Sequence, residues 1–136
     1  MDNILTNLMN LAMDNGIAVQ ASGDLSPDTP CAVNTKTKTI LLNTNLRNKK
    51  QLAFQFAHEI GHILNGDHSN EMFYYTPTRN AIETRANQSA IKLLLPYYID
   101  DKDTDRINLN EFMSIFAIPT HLEDIVKSEI INYLDK

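Results

Sequence analysis

The sequence predicts an α+β fold: a compact, mostly helical single domain with a small N-terminal β-sheet. Apolar residues recur at helical spacing over residues 2–14, 47–65 and 79–95. Two short strand-like runs, Cys31-Ala32-Val33 and Thr39-Ile40-Leu41-Leu42, come before the second of these stretches. At 136 residues, with 43% hydrophobic and 21% charged side chains, the chain has the length and composition of one globular domain with its own core.

Residues 2–14 align Ile4, Leu5, Leu8, Leu11 and Ala12 on one helix face, and Asn15-Gly16 is the stop signal. The polar face of this helix carries no Lys or Arg, so it is expected to pack on the core and not to lie on a membrane. Residues 17–20 read as a short strand, and residues 21–30, rich in Ser, Asp and Pro, as a loop. The runs at 31–33 and 39–42 then form a hairpin across Asn34-Thr35-Lys36-Thr37-Lys38. Residues 47–65 predict a long helix closed by Gly66, followed by a polar and aromatic loop over 67–78. A second strong helix is expected from about Arg79 to Leu95, stopped by Pro96. An acidic loop over 100–105 leads to helices at about 109–117 and 120–134, with Pro119 at the break.

The net charge of −5 is unevenly placed. Residues 1–99 hold 8 acidic and 8 basic side chains, whereas residues 100–136 hold 9 acidic and 4 basic. No basic face is evident, which argues against direct nucleic-acid binding. The single cysteine, Cys31, excludes an internal disulfide and a Cys-x-x-Cys metal pair, and is read as a buried structural residue. With no signal-peptide pattern and no apolar run long enough to span a bilayer, the expected location is the cytoplasm, free of the membrane.

The most informative residues are His58-Glu59-Ile60-Gly61-His62. On a helix, positions i and i+4 lie one turn apart on the same face, so both imidazoles can reach one ion. Glu59, beside that face, is placed to take a proton from a metal-activated water. At 100° per residue Leu52, Phe56, Ile60 and Ile63 form an apolar stripe, with His58, Gly61 and His62 pointing away from it. The helix is therefore expected to pack on one face and line a site with the other. Gly61 costs about 1 kcal/mol of helix stability relative to Ala, a cost explained if another element must approach closely there.

A catalytic zinc commonly takes three protein ligands, so a further His, Glu or Asp is expected downstream. Glu83, 21 residues after His62 on the next helix, is the best candidate. Asn87, one turn later on the same face, can hydrogen-bond the free nitrogen of a ligand histidine. Ala86, Ser89 and Ala90 are small enough to let the two helices pack tightly. Tyr74, Tyr75 and His68 are candidates for steadying an oxyanion, and His121 is read as structural or exposed. The strand Thr39–Asn43 is a candidate edge for pairing an extended substrate. Asp101-Lys102-Asp103-Thr104-Asp105 begins like a calcium loop but has Arg106 where Gly is needed and Phe112 where the bidentate Glu belongs. The His/His/Glu set suits Zn²⁺ and tolerates Mn²⁺.

With His58-Glu59-Ile60-Gly61-His62, Glu83-Thr84-Arg85-Ala86-Asn87 and Leu93-Leu94-Leu95-Pro96 in hand, the chain resembles the ImmA/IrrE metallopeptidases over roughly residues 30–130. The family's usual Phe-Ala after the Asn is replaced here by Gln88-Ser89, a change in packing and not in ligation. The resemblance implies a gluzincin-like zinc site on a zincin-like active-site helix. It divides residues 1–136 into a catalytic core over 1–99, with the small sheet and two metal-binding helices, and a helix-turn-helix-like acidic tail over 100–136. It also implies a protein substrate: a helix-turn-helix transcriptional repressor of a phage or mobile element, inactivated by a site-specific cut. The alternative is an antirepressor that sequesters the repressor without cutting it.

Overall fold

The structure, a computed structural model, describes residues 2–68, 72–76, 78, 80–100 and 102–135. Helix α1 (Asp2–Asp14) packs Leu8 and Ala12 fully into the core, with Ile4, Leu5 and Leu11 partly covered beside them. It ends as the sequence predicts. Gly16 adopts φ +70°, its N–H bonds the carbonyl of Met13, and the N–H of Ile17 reaches back to Ala12. This reversal satisfies the last carbonyls, and glycine adopts it at little cost.

Four strands follow: β1 (Ala18–Ser22), β2 (Ala32–Asn34), β3 (Thr39–Asn43) and β4 (Phe73–Tyr74). The β2–β3 hairpin is antiparallel, pairing Val33 with Ile40, and its turn is held by Asn34 Oδ1, which accepts from the N–H groups of Lys36 and Thr37. β1 runs parallel to β3, giving the order β1-β3-β2-β4 among the described residues. The Thr39–Asn43 strand is therefore interior, hydrogen-bonded on both sides, and offers no edge to a substrate. The outer strands are β1 and β4. β4 lies within the segment expected to be loop. Two residues cannot declare a strand by periodicity; pairing with β2 holds them there.

Helix α2 (Leu52–Leu64) is shorter than the 47–65 pattern suggested, because Lys49–Gln51 forms a 3-10 turn capped by the Asn48 side chain. The expectation of one packed face is also corrected: every residue from Ala53 to His62 is buried. α2 lies between the sheet and α1 on one side and helix α3 (Ala81–Ile99) on the other. Phe54 and Phe56 are both fully enclosed, each worth roughly 1.5–3 kcal/mol of apolar burial. Cys31 is free and buried as expected, its N–H donating to Gln55 Oε1.

α3 does not stop at Pro96 but runs through it to Ile99. A proline so near a helix end forfeits one hydrogen bond, and burial of Tyr98 and Ile99 in the core offsets that loss. The expected start at Arg79 lies outside the described residues; α3 begins after Asn80, whose side chain caps it. A 3-10 turn at Thr104–Arg106 falls in the acidic loop, of which Asp101 lies outside the described residues. α4 (Leu109–Ile115) and α5 (Glu123–Leu134) complete the chain, and α5 packs on both α4 and α3. No described helix is long and apolar enough to cross a membrane.

Candidate metal centre

The two helices carry the site between them. α2 presents His58 and His62 one turn apart, their rings edge to face with centroids 4.9 Å apart. α3 presents Glu83 in its first turn, where the Asn80 side chain accepts a hydrogen bond from the Glu83 N–H at 2.9 Å. The run Asn80-Ala81-Ile82-Glu83 thus has capping spacing, and the exposed N–H groups of the helix start favour a carboxylate there.

Glu83 Oε1 lies 3.0 Å from His58 Nε2 and 2.8 Å from His62 Nε2. The three groups form a buried cluster whose candidate ligand atoms all fall within 4.8 Å of one another. The helices approach this closely because Gly61 faces α3: a Cβ at that position would lie 2.8 Å from Ser89 Cβ and 3.2 Å from the Ala86 carbonyl oxygen. The glycine and the small residues singled out in the sequence therefore meet each other.

The outer nitrogens of both imidazoles are held. His58 Nδ1 donates to Asn87 Oδ1 at 2.8 Å. His62 Nδ1 donates to Asp67 Oδ2 at 3.0 Å, and Arg85 Nη2 stands 3.7 Å from the other Asp67 oxygen. Each ring is thereby oriented with Nε2 toward Glu83, the arrangement that makes histidine a directed metal ligand. Asp67 was not singled out in the sequence. Gly66, at φ +73°, ends α2 with the same reversal that ends α1, and the Asp67 N–H bonds the His62 carbonyl at 3.0 Å. That reversal brings the residue after the glycine back over His62, so the Gly66-Asp67 pair was the available signal.

Charge in the cluster is divided. Burial depresses the His58 pKa against the opposing pull of Glu83. Burial also opposes charge on His62, but the hydrogen bonds it donates to Glu83 and Asp67 together outweigh that and raise its pKa. Burial would raise Glu83, yet the two imidazoles bring its pKa down to about 2. An ionised carboxylate oxygen facing two imidazole nitrogens is a donor set of hard and borderline character that fits Zn²⁺ or Mn²⁺.

Glu59 is fully buried, and neither carboxylate oxygen has a hydrogen-bond partner among the described residues. Burial, then the charge of Glu83, raises its pKa well above the usual range. His58 Nε2 is 3.8 Å from Glu59 Oε1. An enclosed, unpartnered carboxyl is costly as mere structure.

The three oxyanion candidates differ in placement. Tyr75 is buried, its ring stands edge to face with His58 at 5.1 Å, and its hydroxyl has no hydrogen-bond partner among the described residues. Burial and the nearby Glu59 and Glu83 raise its pKa. Tyr74 is 50% exposed, and His68 is exposed on the surface beyond α2. His121, read as structural or exposed, is exposed. Phe73 on β4, missed in the sequence, stacks on His62 with ring planes 7° apart. Outside lies an open depression of about 490 Å³ between β4 and the start of α3, bordered by Met72, Phe73, Tyr74, Ile82 and Glu83.

No curated protein and no solved structure matches the chain. One family model does: the IrrE N-terminal-like domain, a peptidase family, over residues 12–99. That span holds all four strands, the last turn of α1, the whole of α2 and α3, and every residue of the centre described above. The chain belongs to the IrrE N-terminal-like family of metallopeptidases.

Proposed function

We propose that the protein is a zinc-dependent endopeptidase of gluzincin type, with Mn²⁺ as an acceptable substitute, in which His58, His62 and Glu83 hold the ion. The observation that carries this reading is the convergence of both Nε2 atoms on Glu83 Oε1 beside the unpartnered Glu59 carboxyl. The ion supplies Lewis acidity toward water and a peptide carbonyl. Glu59 accepts a proton from the attacking water and returns it to the leaving amine nitrogen as the C–N bond breaks. Asn87 and Asp67 keep the two imidazoles turned inward. Of the three oxyanion candidates, Tyr75 best fits the role, since its buried hydroxyl is uncommitted and lies at the site.

The substrate in this reading is a cytoplasmic helix-turn-helix repressor of a phage or mobile element, cut at one site. The depression beside Glu83 is rimmed by Met72, Tyr74 and Ile82, all more than a third exposed, and an apolar rim of this kind suits a polypeptide. Capture without cutting is the second reading. It is favoured by the excess acid of residues 100–136, which complements a basic DNA-binding surface.

Incubation with a candidate helix-turn-helix repressor separates the readings. Fragments that vanish with chelator, and with a Glu59→Gln protein that still holds zinc, support the peptidase. A stoichiometric complex without fragments supports capture. Undiminished cleavage by Glu59→Gln contradicts the mechanism.

A further inference from the structure

A second cavity, of about 300 Å³, opens between α3 and α5 and is lined by Lys92, Leu95, Pro96, Glu129, Asn132 and Tyr133. Leu95 is 12 residues beyond Glu83 on α3, roughly 18 Å of helix rise from the metal centre. Glu129 is only 5% exposed, and its Oε1 has no hydrogen-bond partner among the described residues. The nearest cation is Lys92 Nζ at 3.8 Å, too far to hydrogen-bond, on a side chain that is itself 67% exposed. A carboxylate enclosed this far normally has its oxygens bonded, and here it is not needed to hold a turn or a helix end. Leu95, Pro96 and the Tyr133 ring make the remainder apolar. Tyr133 is fixed at its far end by a hydrogen bond from its hydroxyl to Asp100.

We propose that this cavity binds an alkylguanidinium, the chemistry of an arginine side chain. The guanidinium would pair with Glu129 while its aliphatic stem lies against Leu95, Pro96 and Tyr133. Several N–H donors in one plane match a carboxylate, and the apolar walls match the stem. Lys92 occupies the same carboxylate loosely from outside, as a resident cation that the ligand displaces. The acidic balance of residues 100–136 favours cations over anions at this end of the molecule.

The test is a titration of the full chain, followed by the amide resonances of residues 92–96 and 129–133. The probes are N-acetyl-arginine methylamide for a polypeptide source and agmatine for a free metabolite, with N-acetyl-norleucine methylamide as the uncharged control. At constant ionic strength, saturable binding by either cation is expected with a dissociation constant on the order of millimolar, and none by the control. The stronger of the two identifies the source. Glu129→Gln, which keeps the shape of the side chain, should weaken binding at least tenfold. Lys92→Ala should tighten it severalfold, an opposite sign that misfolding would not produce. No saturation with either cation, equal binding by the control, or a Lys92→Ala protein that binds no better than the parent would overturn the proposal.

Discussion

Replacing Gly61 by Ala tests the packing on which the metal centre depends. At an open helical position this change adds about 1 kcal/mol of stability. Here the new Cβ would stand 2.8 Å from Ser89 Cβ and 3.2 Å from the Ala86 carbonyl oxygen, while carbon atoms in ordinary contact are 3.5–4.0 Å apart. Both neighbours lie on α3, so that helix must retreat by roughly 1 Å at Ser89. Overpacking of this kind costs about 1–3 kcal/mol, which leaves a net loss from near zero to about 2 kcal/mol. The effect on the ion should be larger than the effect on the fold, because Glu83 and Asn87 ride on the helix that moves. A loss of roughly 10- to 100-fold in zinc affinity is expected. Denaturant unfolding of the metal-stripped protein gives the first quantity, and a competitive zinc titration the second. Ser89→Gly removes the closer of the two contacts and should restore part of the affinity in the double variant. A Gly61→Ala protein about 1 kcal/mol more stable than the parent, with zinc affinity unchanged, would refute the close approach of α2 and α3.

Asp67→Asn removes the carboxylate that holds His62 Nδ1 and should weaken zinc by roughly 10- to 100-fold with little change in the fold, read by the same competitive titration; full affinity would deny Asp67 a role in orienting the ring. Zinc uptake should release the proton that His62 holds below its raised pKa. Affinity should therefore fall about tenfold per pH unit on acidification through that value and level off above it, and calorimetry in buffers of different ionisation enthalpy counts the proton. In the metal-free fold the two histidines act in opposite senses near pH 6.5, whereas Glu59, with its raised pKa, stabilises fully below about 4.5 and loses that contribution as pH rises through its raised value, so stability should fall over that rise. His62, with its raised pKa, stabilises fully below about 6.5 and loses that contribution as pH rises. His58, with its lowered pKa, stabilises above about 6.5 and loses that contribution as pH falls.

What could be read in the sequence was what spacing along one helix determines. His58 and His62 share a face by the i, i+4 rule, and Glu83 with Asn87 does so on the next helix. Gly61 announced a close approach by its cost, and the small side chains of α3 supplied the partner. Features set by tertiary contact were illegible. Periodicity marked one apolar stripe on α2, but α3 covers the opposite face, so the whole central run is buried. Pro96 reads as a stop, yet the burial of Tyr98 and Ile99 carries the helix past it. β4 exists because β2 pairs with it, and the same pairing places Phe73 on His62. The order of strands, which encloses Thr39–Asn43, follows from a parallel β1–β3 pairing that local pattern does not encode.

In the proposed site one ion sits between α2 and α3. The most direct test is a crystal of the zinc-loaded protein, with anomalous differences measured on both sides of the zinc absorption edge. One strong peak is expected, ligated by His58 Nε2, His62 Nε2 and the Glu83 carboxylate, with Glu59 beside it and not bonded to it. Full zinc occupancy at any other position, with these three side chains left as they stand, would contradict it.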